Sequence, residues 1–517
     1  MSLVPPTKMF TLLVLFLTVV ASTTALPSCP SFANPRTVDP QVLLHSPEVT
    51  QALEHVNTLF LNASSTIPSG FIATVVFDQT TVWTQGYGYN DVSNKAQGKP
   101  TKDSLVRIAS ITKVFTTILM YVLKQSNLIA LEDPITKYLP NFSMLLAKEI
   151  TLRELASHTA GMPRELPYPC CAFTVQTTQH RDACNETAML KILQTKPVMS
   201  PTHRRFHYSN LGMAVLGRGL AHTKNTSANV TYEQMVRHYI TNPLHMFHAT
   251  FAYNTTTQNR SAKGVALDGS VVKIPTETTC GFGAPAGCLW ASTQDMALLM
   301  KFLFRIDPLL DSSDSSDSSG GQDPLTSDTI AEMLAPSVLL RNGYEAVGTP
   351  FEMQYILNKY WTKGKQGELP GYRSSLTVIE DLKLGIFTSA LITDTSSNSV
   401  WTIDALEILA PAFDAALTRL QPIRVLPDNY ALYVGKYFDG SVTVAVNGSR
   451  LLFTSGAGVL ALTDVKGLNY ILRAHNEDEI GCRWLDDGSN LELVTFVVEH
   501  SIVIALEFMG SRFGKFL

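Results

Sequence analysis

Few of the 517 residues in this sequence carry charge: 16 % are Asp, Glu, Lys or Arg, against 45 % hydrophobic. Lys and Arg number 40 and Asp and Glu 44. No basic excess exists to neutralise a phosphate backbone, so no nucleic-acid partner is expected. Cysteine is scarce at 7 residues, and no Cys pair precedes a His or Cys pair at ligand distance. The His-x-x-His of His245 and His248 lacks a third ligand and a glutamate base, so no metal is expected. No organic cofactor is implied either. Gly-x-Ser-x-Gly is absent, which removes the strand-turn-helix nucleophile elbow. Beyond the N-terminus no run is long and apolar enough to span a bilayer, and no internal repeat is found.

What is present begins with a leader. Lys8 precedes an apolar run from Met9 to about Ala21, then small residues Thr23-Thr24-Ala25. Residues 1–25 read as a cleaved signal peptide, the alternative being an uncleaved anchor. After cleavage no stable membrane insertion is expected, and the protein is expected to be secreted. Sequons stand at Asn62, Asn141, Asn185, Asn225, Asn229, Asn254, Asn259 and Asn447, each a candidate glycosylation site in a secretory host. Cys280 and Cys288 bracket the loop GFGAPAG, which a disulfide could close in an oxidising compartment. Cys170, Cys171 and Cys184 form a second cluster, leaving Cys29 and Cys482 without an obvious partner.

Length alone allows two or three domains. "GFIATVVFD" and "TTVWTQGYGY" alternate as strands around Asp78-Gln79-Thr80 and predict a hairpin. Val114, Phe115, Ile118, Leu119, Tyr121 and Val122 recur at helical spacing, which places Ser110 at the N-terminus of a core-facing helix. "TLRELASHTAGMP" predicts a helix stopped by Gly161, with His158 a structural loop residue. The stretch 222–262 reads as mostly loop, and "DSSDSSDSSGG", 311–321, as an acidic solvated loop between two helices. Residues 374–392 return to strand alternation around Glu380-Asp381. Strands at both ends with helices between predict an α/β fold: an antiparallel sheet sandwiched by helices, with an inserted helical lobe. The domain assigned is 26–421. A proline-punctuated linker then leads to six short strand-like runs, and 429–517 is expected to be a small all-β domain.

The chemistry is suggested by "RIASITKVF", where Ser110 stands three residues before Lys113. One helical turn puts the two on one face. Burial and the positive end of the helix dipole both lower a lysine's proton affinity, which would let it serve as a base toward the hydroxyl. Taken alone, Ser-x-x-Lys is as easily a cap serine beside a solvent-facing lysine. Two more segments change the weighing: "FHYSNLGMAVLG" with Tyr208-Ser209-Asn210 leading into a small-residue helix, and "KGKQGELPGYRSSLTV" with Lys365-Gln366-Gly367 just ahead of a strand. In this order the three segments resemble the serine β-lactamase and penicillin-binding-protein superfamily, specifically its class C-like group of β-lactamase-related esterases and acyltransferases. "LEDPITKYLP", "ELASHTAGMP", "NPLHMFHATFAY" and "PAGCLWASTQDM" extend the resemblance over roughly residues 40 to 410.

The resemblance implies Ser110 as the acylated nucleophile, with Lys113 and Tyr208 as a coupled base. It implies Asn210 as a substrate or Lys113 ligand, Lys365 on the opposite wall, and Gly367 as the residue that keeps the third segment close. The N–H groups of Ser110 and Glu368 would hold the oxyanion. Gln366 and Glu368 depart from the small residues usual there, and a carboxylate at Glu368 would repel acidic substrates and counter Lys365. The expected function is a secreted serine hydrolase cleaving an ester or amide of a small molecule or peptide. The alternatives are acyl transfer from the same acyl-enzyme to another acceptor, and a catalytically inactive binding protein. Nothing in the motifs speaks to oligomeric state.

Overall fold

The computed structural model describes residues 32–167, 184–203, 205–223, 230–275, 280–305, 323–393, 401–421, 426–455, 458–464, 469–475 and 492–516. The leader, the acidic run 311–321, Asn225, Asn229, Cys29, Cys170, Cys171 and Cys482 lie outside the described residues. The chain divides into two compact units, Ala33–Gln421 and Pro422–Leu517.

The larger unit is built on an eight-stranded antiparallel sheet. Its strands are β1 (Gly70–Phe77), β2 (Thr80–Gly88), β3 (Val338–Leu339), β4 (Glu345–Val347), β5 (Glu352–Ile356), β6 (Tyr360–Leu369), β7 (Tyr372–Ile379) and β8 (Leu384–Ala390). Their order is β2-β1-β8-β7-β6-β5-β4-β3. The sheet is closed by segments far apart in sequence, Phe71 pairing with Ala390 and Phe77 with Leu384. Every residue of β1 and β8 is buried. That requires a helical layer on each face, since a sheet with one wet face alternates. On one side lie α1 (Pro47–Ser65) and, near the end of the unit, a 20-residue helix over Trp401–Leu420. Helix α1 starts with Ser46 and Pro47 and buries Val49, Ala52, Val56 and Phe60, one stripe at helical spacing. Phe71 meets Trp401 edge-on at 5.3 Å, and Phe77 lies 5.5 Å from Phe413.

The site-bearing helix is α2 (Thr112–Gln125), buried all round from Thr112 to Leu123. Helices apolar on every side belong in the middle of a core. Ser110 lies at the N-terminus of this helix as expected, in the 3-10 turn Ala109–Ile111 that leads into α2. Helix α3 (Asn210–Ala221) is capped by Ser209, whose Oγ accepts the Gly212 N–H at 2.8 Å and donates to the Pro163 carbonyl at 2.6 Å. The stretch 230–262 holds more helix than its composition suggested: Tyr232–Val236, a π-helical turn Arg237–Thr241 and Thr255–Arg260. The expected disulfide between Cys280 and Cys288 is formed, with the Cα atoms 6.3 Å apart.

The smaller unit is a closed barrel of β9 (Gly435–Tyr437), β10 (Val442–Asn447), β11 (Arg450–Ser455), β12 (Gly458–Asp464), β13 (Ile471–His475), β14 (Leu493–Glu499), β15 (Ile502–Phe508) and β16 (Ser511–Phe516). The first and last strands pair, Lys436 with Phe516, so the sheet has no open edge. Alternate side chains such as Val442, Val444, Leu451, Phe453, Leu506 and Phe508 fill it. An all-β domain is therefore present as expected, with two strands, β12 and β16, that the alternation had not revealed. "GVLALTD" mixes small and apolar residues, and "SRFGKF" is mostly exposed, so neither has a clean period of two.

Candidate active site

Position 109 sets the geometry. Ala109 sits at φ +48°, a left-handed conformation that costs an alanine about 1 kcal/mol. The kink presents Ser110 at the edge of a cavity of about 850 Å³. Ser110 lies in the first turn of its 3-10 segment, where the first internal bond is Ile111 N–H to the Ile108 carbonyl, so its own N–H has no acceptor within the turn.

One turn on, Lys113 is 0 % exposed, which disposes of a solvent-facing lysine. Its Nζ donates to Ser110 Oγ at 2.9 Å, to Asn210 Oδ1 at 2.8 Å and to the Ala286 carbonyl. Three donors thus meet three acceptors. The Ala286 carbonyl arrives on the loop bracketed by the disulfide, and Thr116 Oγ1, one turn further along α2, donates to the neighbouring Pro285 carbonyl at 2.7 Å. From two residues ahead of α3, Tyr208 Oη donates to Ser110 Oγ at 2.7 Å. The serine oxygen therefore lies between an ammonium and a phenol.

Burial pushes the Lys113 ammonium down to about 8, with the Lys365 charge acting the same way and Tyr208 opposing both. Burial raises the Tyr208 phenol, but the charges of Lys113 and Lys365 outweigh it and the net direction is down. Both groups are thus brought down toward neutrality, Lys113 by burial and Tyr208 by the neighbouring cations, and the proton belongs to the pair. Arg164 adds a third cation over the ring at 4.9 Å, beside Lys113 at 4.9 Å and Lys365 at 5.0 Å. His158, at φ +59°, packs its ring 4.7 Å from that of Tyr208 and accepts the Ser209 N–H on Nδ1. Burial holds its imidazole well below the usual range, so it stays neutral there.

The third segment lies in the middle of β6, not ahead of a strand, and this placement is its use. β6 and β7 form a hairpin closed by the pair Leu369 and Tyr372, with Gly367 opposite Ser374 and Glu368 opposite Arg373. Pairs in a two-residue hairpin alternate in hydrogen bonding, so Glu368 turns its N–H away from β7. On that far side β5 is in register with β6 only as far as Gly364. Beyond it the β6 edge runs past Ser110. A Cβ placed on Gly367 would stand 2.2 Å from the Ile108 carbonyl oxygen and 2.8 Å from the Ser110 nitrogen, so only glycine lets the two segments approach this closely. Gly367→Ala is expected to cost about 1–3 kcal/mol of stability, and to lower turnover about 10²-fold by shifting the strand from Ser110. Thermal melting and steady-state kinetics on the same preparation check both.

Opposite Tyr208, Lys365 is 2 % exposed and donates to Glu352 Oε1 on β5 at 2.5 Å. Burial lowers this ammonium, yet Glu352 and then Tyr208 outweigh the burial and leave it raised, hence charged. On the other wall Asn210 Nδ2 donates to both oxygens of Glu165, at 3.0 and 2.9 Å, and Arg164 stands 3.3 Å from the same carboxylate. Ser110, Tyr208, Asn210, Lys365, Gly367 and Glu368, spread over more than 250 positions of sequence, thus line one cavity, with Lys113 buried behind Ser110. The Ala286 carbonyl and the carboxylates of Glu352 and Glu165 were not found from sequence, which carries no spacing signal for them.

The site is thus a serine oxygen held by a lysine and a tyrosine beside an antiparallel sheet covered by helices. The family model for Beta-lactamase matches residues 61–410. The chain is 31 % identical over 509 residues to Beta-lactamase-like protein 2 of Dictyostelium discoideum, covering 91 % of this chain and 87 % of that one. Its fold resembles the octameric penicillin-binding protein homologue from Pyrococcus abyssi, with a TM-score of 0.54 and 19 % identity over 90 % of this chain and 100 % of that one. A D-stereospecific amidohydrolase from a Streptomyces species gives a TM-score of 0.53 and 17 % identity over 68 % of this chain and 97 % of that one. The chain belongs to the beta-lactamase family.

Proposed function

We propose that this protein is a secreted serine hydrolase that cleaves an ester or amide of a small molecule or peptide through an acyl group on Ser110. The observation that carries the reading is the Ser110 oxygen within hydrogen-bond reach of both Lys113 and Tyr208. In the acylation step Ser110 Oγ attacks the substrate carbonyl and its proton passes to the Lys113–Tyr208 pair. The oxyanion that forms is met by the N–H groups of Ser110 and Glu368. The pair then returns the proton to the leaving group as the carbonyl re-forms. Water, activated by the same pair, releases the acyl group. A hydroxyl or amine of a second substrate could stand where that water stands, which is acyl transfer; competing a simple alcohol against water and analysing the products separates the two.

The test is intact-mass analysis of deglycosylated protein exposed to a fluorophosphonate, a nitrophenyl ester and a chromogenic β-lactam. A mass increment that maps to Ser110, together with turnover of at least one reagent, is expected. Folded protein that takes up none of the three would overturn the reading and favour a binding role.

Passage through the secretory route is supported by the leader, by the formed Cys280–Cys288 disulfide, and by the sequons. Asn62, Asn141, Asn185, Asn254, Asn259 and Asn447 are all exposed. Protein recovered from the medium of a eukaryotic host is expected to lose mass on treatment with an amide-cleaving glycosidase. Retention in the cell without a mobility change would count against export.

A further inference from the structure

The Lys365 ammonium is a buried cation in the cavity lining, and its surroundings bear on substrate charge. It is 2 % exposed. One face lies 5.0 Å over the Tyr208 ring, and Glu352 holds it through the ion pair with Oε1. Glu352 comes from the neighbouring strand, in register with Gly364 one residue before Lys365. This partner is built into the sheet and does not have to be recruited. A carboxylate entering with a substrate would have to displace Glu352, or share an ammonium already neutralised and lie against the Glu352 charge while doing so.

Gln366 and Glu368, both exposed, line the same cavity from the opposite face of β6, with Arg373 across the hairpin from Glu368. The first is neutral and the second anionic. Across the cavity the exposed cation Arg164 already faces Glu165 at 3.3 Å. On the strand face turned toward Ser110, the buried cation is therefore already occupied.

Resting on the hydrolase reading, we propose that Glu352 determines specificity: by occupying Lys365 it closes that wall to carboxylates, so the substrates are uncharged or cationic acyl compounds with no carboxylate beside the scissile bond. Glu352 touches no reacting atom in this scheme and acts through Lys365.

The experiment uses three nitrophenyl esters of matched length whose acyl chains end in a carboxylate, a methyl group or an ammonium. For wild-type protein kcat/KM for the carboxylate ester is expected about tenfold or more below that for the methyl ester, the worth of one charge-assisted hydrogen bond denied to the substrate. The ammonium ester should equal or exceed the methyl ester. Glu352→Gln frees the ammonium, and the carboxylate-to-methyl ratio is expected to rise about tenfold. Glu352→Ala carries the same expectation, so the test does not depend on one variant folding. The ratio within each protein is what is read, because freeing Lys365 also changes the charge beside Tyr208 and with it the absolute rate. Equal use of carboxylate and methyl esters by wild type, or an unchanged ratio in the folded variants, would overturn the proposal. Binding of the same esters to Ser110→Ala protein, followed by calorimetry, gives the charge order without turnover. Loss of all turnover with the binding order intact would therefore sink the hydrolase reading and leave the role of Glu352 standing.

Discussion

Ser110→Ala protein is expected to be folded, to take up no fluorophosphonate, and to lose about 10⁴-fold or more in kcat on whichever ester the wild type cleaves. The basis is local. Removing the hydroxyl takes away the atom that both Lys113 Nζ, at 2.9 Å, and Tyr208 Oη, at 2.7 Å, address. It leaves the ammonium bonded to Asn210 and to the Ala286 carbonyl. Binding should persist, because the wall groups of the cavity are untouched, so the loss should fall on kcat while the affinity for substrate changes little. Residual catalysis close to wild type would mean that the nucleophile lies elsewhere. Titration calorimetry beside stopped-flow kinetics separates the two quantities.

Lys113→Met should cost about 10²–10⁴-fold in kcat/KM, the range for removing a positioned base. Its more diagnostic effect is on pH. In the wild type the active form is the one from which a proton has left the Lys113–Tyr208 pair, so kcat/KM should rise with pH through about 8, where burial places Lys113, and should fall below it. Take away the Lys113 charge and Tyr208 loses one of the two cations that draw its phenol down, while burial continues to push it up. The rising limb of the variant should therefore move to higher pH, toward the ordinary range of a phenol. Methionine is close in volume to the lysine stem and suits a fully buried position, so the protein should fold and the profile be measurable. An unshifted limb would show that Lys113 is a structural cation and not part of the base.

Much of the fold is legible because its periods are local. The hairpin of β1 and β2, the stripe of α2, the helix opened by Ser209 and the run from Trp401 to Leu420 each announce themselves over fewer than twenty-five residues. Where the period is blurred the reading fails. Lys365-Gln366-Gly367 reads as lying ahead of a strand because two glycines and three charged residues interrupt β6. Its pairing with β7 supplies backbone bonds that do not depend on those side chains. In the barrel, β16 is exposed along most of its length and is held by closing against β9, a contact no local window contains.

By itself the sequence determined the chemistry on offer: a serine one turn from a lysine, a tyrosine and an asparagine at the start of a helix, a glycine beside a lysine. It also determined the absence of an elbow motif or a metal set that would have pointed elsewhere. Tertiary structure alone decided what each group became. Burial of α2 made Lys113 a candidate base instead of a surface charge. The disulfide-bracketed loop supplied the carbonyl that holds it, and β5 brought Glu352 to Lys365. Proton affinity and charge pairing depend on dielectric and on distance, and neither is a property of neighbours in the chain.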